Sequence, residues 1–262
     1  MGAGMAGFLQ KGWRRFGHDP RLAEWVSAVR PAAEAAVREP ENAPWLRCGG
    51  TWFAGVNALP NDATGAVPGG PALQGRAVEA AQGLYGALPW DRGQVSVVYP
   101  GYPRQQDESD AAFGFRLRRD GAHVDGLKRA GPGGRRFPGE AHAFILGIAL
   151  GDAGAGASPL VVWEGSHRMM AAALSGALAG KPARDWPGTD VTGVYQAARR
   201  RVFERCARVE VAARPGEAYL IHRHALHGIS PWTGDQQAGP EGRMVAYFRP
   251  PLADPADWLA LP

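Results

Sequence analysis

From Gln94 onward the chain is written in short apolar or β-branched runs, each closed by glycine or proline, and this pattern restricts the possible folds more than any other feature. Residues 94–99, Gln-Val-Ser-Val-Val-Tyr, stop at Pro100-Gly101. Residues 142–150 read as a buried strand that passes through a Gly/Ala turn to a further run at 160–163. Three more strands are expected at 208–212, 218–222 and 243–248, the first two separated by the turn Arg214-Pro215-Gly216-Glu217. Residues 113–118 alternate apolar with polar side chains and read as another strand running toward His123. Strands this short, joined by turns and preceded by helices, fit an antiparallel sandwich or barrel flanked by helices. The expected fold class is mainly β with flanking helices.

The first third has a different texture. Asp19-Pro20 is an N-cap followed by proline at the first helical position, and Leu22, Trp25, Val26 and Val29 keep helical spacing, with a break or restart expected at Pro31. Residues 40–70, rich in Asn, Pro and Gly, read as loop with a short strand around Thr51-Trp52-Phe53, and a second helix is expected over about 73–88. Further helices are expected at 169–178 and 191–203, the latter capped by Thr189 or Asp190. At 262 residues a β-rich chain can be one domain, so the expected organisation is a single domain over 1–262, with a helical and loop region over about 1–93 and a core over about 94–250.

Composition excludes several classes. No stretch approaches the ~18 continuous apolar residues of a membrane span, and the first residues lack a basic segment followed by an apolar one, so a cytoplasmic protein is expected. Cys48 and Cys206 are the only cysteines and lack C-x-x-C spacing, which argues against a disulfide framework or a zinc knuckle. The formal charge of +4 comes with short arginine clusters but no interleaved aromatic pattern, so they read as solvated faces and no nucleic-acid partner is expected. The expected partner is a small-molecule substrate, with no membrane role; the oligomeric state stays open.

Chemistry concentrates in four residues. His123 and Asp125, two apart, share a face if the backbone is extended, and His227 can complete a 2-His-1-carboxylate triad. Such a triad leaves three adjacent octahedral positions open on a non-haem Fe(II). Arg243 opens the last strand, and its planar fork suits a carboxylate in a way lysine cannot copy. Two alternatives stay open: His224 in place of His227, and Arg249 in place of Arg243. Tyr99 is a further candidate for a hydroxyl contact to the cosubstrate, His142 can face the site, and His167 reads as a turn-and-cap residue. The glycine-rich segment 126–138 is a candidate lid.

The order of these motifs is more informative than any one of them. His123-Val124-Asp125, an apolar strand, Val162-Trp163-Glu164-Gly165-Ser166-His167-Arg168, Pro215-Gly216-Glu217-Ala218-Tyr219-Leu220-Ile221-His222, His227-Gly228 and Arg243 together resemble the phytanoyl-CoA dioxygenase-like family of Fe(II)/2-oxoglutarate oxygenases, over about residues 94–250. The resemblance implies a double-stranded β-helix (jelly-roll, cupin-like) core. It also implies Fe(II) held by His123, Asp125 and His227, 2-oxoglutarate chelating the iron with its far carboxylate on Arg243, and O2 as oxidant. The stretch between His227 and Arg243 is long for that pattern and reads as an insertion over 233–242. With a carboxylate as the third ligand no position is vacated for a halide, so hydroxylation outranks halogenation. A cupin-like Zn or Mn protein, and a noncatalytic binding domain, are the rival expectations.

Overall fold

The computed structural model describes residues 3–131, 133–154, 156–233 and 242–262. Helix α1 (Ala3–Lys11) leads into β1 (Trp13–Phe16) and the long α2 (Pro20–Arg38). Strands β2 (Leu46–Arg47) and β3 (Trp52–Gly55), helix α3 (Arg76–Tyr85), strand β4 (Gln94–Val98) and helix α4 (Asp110–Arg119) follow. Next come β5 (Leu127–Ala130), β6 (Arg135–Pro138), β7 (Phe144–Ala149), β8 (Leu160–Trp163), α5 (Ser166–Leu178) and α6 (Thr192–Arg205). The chain finishes with β9 (Arg208–Val211), β10 (Ala218–His222), β11 (His227–Ile229), β12 (Arg243–Phe248) and α7 (Asp257–Ala260).

Seven strands form one antiparallel sheet in the order β1-β10-β7-β12-β4-β3-β2, and three form a smaller one, β11-β8-β9. Side-chain alternation divides the core into layers. Ile145, Tyr219, Ile221 and Val245 from the large sheet meet Leu160, Val162 and Val211 from the small one, so the two sheets face each other. The opposite face of the large sheet, with Val95, Val97, Leu146, Ile148 and Leu220, buries the apolar stripes of α1, α2 and α3. The opposite face of the small sheet, with Val161 and Trp163, is covered by α5, α6 and α7. No helix among the described residues is long and apolar enough to cross a membrane.

The helices start as their capping residues dictate. Asp19 accepts from the Arg21 N–H at 3.0 Å and, with its other oxygen, from the Arg76 N–H at 2.8 Å, so one buried carboxylate caps both α2 and α3. Ahead of α6, whose N-cap is Val191 and not the expected Thr189 or Asp190, the Asp190 carboxylate accepts from the Thr192 N–H at 2.9 Å.

The structure corrects four further expectations. Helix α2 runs through Pro31 without restarting: Pro31 and Ser27 are both exposed, so the carbonyl that loses its partner faces water, while the buried stripe continues through Ala33 and Ala36. Residues 113–118 lie in α4, not in a strand. Ser109 caps the helix, and the alternation that suggested a strand leaves Leu117 42% exposed on its outer surface. The candidate lid is a hairpin, β5-β6, fastened by the Val191 and Arg136 N–H groups, which donate to Arg136 O and Thr192 Oγ1. The region before Gln94 holds more strand than expected: besides β3, which falls on the expected short strand around Thr51-Trp52-Phe53, β1 and β2 also join the large sheet.

Four histidines, His142, His167, His222 and His224, are buried, and burial lowers the pKa of each, to about 4 for His142 and about 2 for His222. They stay neutral in the fold but bind protons in the unfolded chain, so their contribution is complete above pH 6.5 and is lost as pH falls toward the folded values. A histidine shifted from 6.5 to about 4 withdraws roughly 2 kcal/mol by pH 5. Urea midpoints should therefore fall steadily between pH 7 and pH 5; a midpoint that stays constant over that range would contradict this burial.

Candidate metal centre and adjoining cavity

The loop after α4 and strand β11 are joined by a single antiparallel bridge. The His123 N–H donates to His227 O at 2.8 Å and the His227 N–H to His123 O at 3.0 Å. The loop is anchored just upstream, where Asp120 O accepts from the Ile229 N–H at 2.9 Å and its carboxylate accepts from Arg208 Nε and Nη2 at 2.9 and 2.8 Å. Gly228 makes the approach possible: a Cβ there would lie 2.2 Å from Asp120 O.

This bridge sets the two imidazoles side by side, with ring centroids 4.7 Å apart. Each Nδ1–H donates to the carbonyl two residues earlier, His123 to Gly121 O at 3.0 Å and His227 to Ala225 O at 2.9 Å. Both Nε2 lone pairs are thereby left for an external partner. They point at the same atom, Asp125 Oδ1, from 3.3 and 3.9 Å. One ligand atom from each of His123, Asp125 and His227 lies within 4.8 Å of the others, the only such group among the described residues.

The charge state suits a divalent cation. Burial alone would raise the Asp125 carboxyl, but the Arg249 guanidinium and the two imidazoles outweigh it and hold the group well below the usual carboxylate range. Burial, with repulsion from His123, pushes His227 down to about 4. At neutral pH the three groups are a carboxylate and a neutral buried imidazole beside a second imidazole, which is the donor set of a facial triad.

The triad opens on a cavity of about 200 Å³ between the sheets, with Trp52, Ile145, Leu160, Ile221 and Tyr247 among its walls. On β12 the inward face carries Val245 and Tyr247, with Arg243 at its start and Arg249 just past its end. Arg243 is 8% exposed, and its Nε and Nη2 have no hydrogen-bond partner. It lines a second, smaller cavity with Tyr219 and Val245. Tyr247 lines the first cavity and Tyr219 the second, and their hydroxyls are 2.8 Å apart. Both tyrosines pair in register with Gly147 on β7, where a Cβ would collide with the Tyr219 ring at 2.1 Å.

Arg249 lines the triad's cavity and is engaged by two of its residues. Its Nη1 donates to Asp125 Oδ2 at 3.0 Å and its Nη2 to Gln94 Oε1 at 2.9 Å. Tyr99 lies on the helix-covered side of the large sheet, in register with Val95 and Val97, and lines neither cavity. His224 packs edge-on against Trp258 at 4.7 Å and does not reach the triad. His142 is buried near Gly126 and lines neither cavity, and His167 Nε2 meets Leu9 O at 3.1 Å as a tie between α5 and α1. No described residue of the β5-β6 hairpin lines the cavity. Most of the expected insertion, residues 234–241, lies outside the described residues.

Tyr219, Tyr247, Gln94 and Asp120 escape a reading of the sequence alone. The tyrosines had one legible signal, period-2 spacing from Arg243 through Val245 to Tyr247; Asp120 had none, because its role depends on Arg208, 88 residues away.

Comparison with solved structures returns chains of similar fold. EctD from S. alaskensis with bound Fe matches with a TM-score of 0.51 at 17% identity, covering 95% of this chain and 75% of that chain. EctD with 2-oxoglutarate and 5-hydroxyectoine gives the same score and identity, over 95% of this chain and 74% of that one. SnoK, a non-heme alpha ketoglutarate dependent carbocyclase from nogalamycin biosynthesis, gives 0.51 at 16% identity over 95% and 82%. The likeness is one of fold. No protein-family model matches the sequence, and no curated protein matches it.

Gly228→Ala should separate β11 from the loop at Asp120, since the clash is with backbone and cannot be relieved by a rotamer change. The expected cost is about 1–3 kcal/mol of stability, with loss of Co(II) affinity as the two imidazoles move apart. Urea unfolding and a Co(II) titration measure both; unchanged Co(II) affinity would show that the bridge does not position the ligands.

Proposed function

We propose that this chain is an Fe(II)- and 2-oxoglutarate-dependent oxygenase of the phytanoyl-CoA dioxygenase-like type, built on a double-stranded β-helix and hydroxylating a small organic substrate. The observation that carries the reading is the occurrence together of a convergent His-Asp-His set and Arg243, a buried cation with two unpartnered nitrogens at the start of β12. A buried charge without a counter-charge costs several kcal/mol, so the site favours an anion. A dicarboxylate satisfies both ends, one carboxylate with its neighbouring oxo group on the metal and the other on the arginine fork.

In this reading His123, Asp125 and His227 hold Fe(II), and Arg243 receives the far carboxylate of 2-oxoglutarate beside the Tyr219 and Tyr247 hydroxyls. With both bound, the centre supplies oxygen activation coupled to decarboxylation of 2-oxoglutarate to succinate and CO2, with oxygen insertion into a C–H bond. The chain contributes orientation and exclusion of water: Ile145, Leu160 and Ile221 form an apolar wall, and Trp52 is held by its Nε1–H bond to Ser96 Oγ at 3.1 Å. The cavity volume of about 200 Å³ supports a small substrate. The structural likeness to EctD and SnoK agrees with the fold part of this proposal.

Anaerobic titration of 2-oxoglutarate into the Fe(II) protein should develop a metal-to-cosubstrate charge-transfer band. A charge-assisted pair contributes about 1.5–3 kcal/mol, so Arg243→Ala should weaken 2-oxoglutarate about ten- to a hundredfold with metal binding nearly unchanged, and Arg243→Lys should recover part of the loss. The absence of a band in the unsubstituted protein would favour a non-oxidative Zn or Mn site; an unchanged titration in Arg243→Ala would move the cosubstrate elsewhere.

A further inference from the structure

The two oxygens of Asp125 face different partners. Oδ1 is the atom on which His123 Nε2 and His227 Nε2 converge, at 3.3 and 3.9 Å, whereas Oδ2 accepts from Arg249 Nη1 at 3.0 Å. Arg249 is itself held on three sides. Its other terminal nitrogen donates to Gln94 Oε1 at 2.9 Å, its backbone N–H donates to Asp91 Oδ1 at 2.8 Å, and its side chain is 20% exposed. Gln94 is the residue paired with Tyr247 across β4 and β12, so one end of the clamp is anchored in the large sheet.

This geometry has a consequence for coordination. A carboxylate can bind a metal through one oxygen or both, and each extra oxygen removes one of six octahedral positions. Two imidazoles and a monodentate carboxylate leave three positions, enough for a two-atom chelate by a 2-oxo acid and one more ligand; a bidentate carboxylate leaves two. We infer that Arg249, buttressed by Gln94, is a positioning residue that keeps Asp125 monodentate and so preserves the third open position. The inference rests on the metal centre proposed above and adds to it a residue that acts through Asp125.

Loss of the clamp should separate two affinities that a merely structural role would lower together. In Arg249→Met the freed Oδ2 turns toward the metal and a positive charge leaves its vicinity, so metal affinity should hold or rise. The position Oδ2 takes is one that 2-oxoglutarate needs, so cosubstrate affinity should fall at least tenfold. Arg249→Lys retains a charged donor and should return to within about threefold of the unsubstituted protein. Gln94→Leu leaves Arg249 in place but loosens it, giving an intermediate loss and a second route to the answer if Arg249→Met does not fold.

The test uses the full chain loaded anaerobically with Co(II), whose ligand-field bands report coordination number, followed by calorimetric titration of Co(II) and then of 2-oxoglutarate. The expected result is a changed ligand-field spectrum in Arg249→Met, Co(II) binding no weaker than in the unsubstituted protein, and 2-oxoglutarate at least tenfold weaker, with the spectrum restored in Arg249→Lys. The inference is overturned if Arg249→Met shows an unchanged Co(II) spectrum, or if Co(II) and 2-oxoglutarate weaken in parallel. In Gln94→Leu, 2-oxoglutarate affinity equal to that of the unsubstituted protein would also overturn it. Failure of the unsubstituted protein to bind 2-oxoglutarate at all would instead count against the proposed function.

Discussion

Two backbone hydrogen bonds, between the N–H and carbonyl groups of His123 and His227, hold together residues 104 positions apart in the chain, and the candidate site depends on them. Neither imidazole is placed by its own side-chain contacts alone. The bridge fixes both Cα positions, each Nδ1–H bond to the carbonyl two residues earlier fixes the ring, and the Arg208–Asp120 pair prevents the loop from drifting off the small sheet. Gly228 is what lets the backbones come this close. The metal-facing geometry is thus specified mainly by main-chain hydrogen bonds, which are insensitive to the protonation of the ligands themselves.

The second requirement is a dry, polar-ended space between two sheets. The interior cluster around Ile145, Leu160, Ile221 and Val245 excludes water, and Arg243 sits in it with two donors unmet. A low-dielectric surrounding makes such a cation costly when empty and strongly attractive to an anion. The Tyr219–Tyr247 hydroxyl pair links a wall of the triad's cavity to a wall of the cavity that Arg243 lines, over the bare backbone of Gly147. The stability cost of these buried polar groups is offset by the three apolar layers on either side and between the sheets.

How much of this was legible in the sequence depended on whether the signal was local. The convergence of the His-x-Asp pair with the distal histidine could be read because residue type and order suffice to suggest a triad. The strands were legible from β-branched runs, and α2 from its Asp19-Pro20 start. What failed was parity and partnership. Tyr99 follows a strand buried on both faces, so alternation could not say whether Tyr99 or Gln94 and Ser96 looked inward, and the structure gives the inward face to Gln94 and Ser96. The alternation of 113–118 mimicked a strand because Phe113, Phe115 and Leu117 spread around a helix that is only partly covered. Arg249 stood as a rival for the cosubstrate, and nothing near it in sequence marks the carboxylate, 124 residues away, that engages it.

The central claim, that three residues from a loop and a short strand form one metal centre facing a cosubstrate held by Arg243, is most directly tested by diffraction from anaerobic crystals loaded with Fe(II) and 2-oxoglutarate, recorded at the iron absorption edge. The account predicts one anomalous peak among His123 Nε2, His227 Nε2 and Asp125 Oδ1, with the far carboxylate of 2-oxoglutarate on the Arg243 guanidinium. A peak at any other set of residues, or a cosubstrate carboxylate seated away from Arg243, would contradict it.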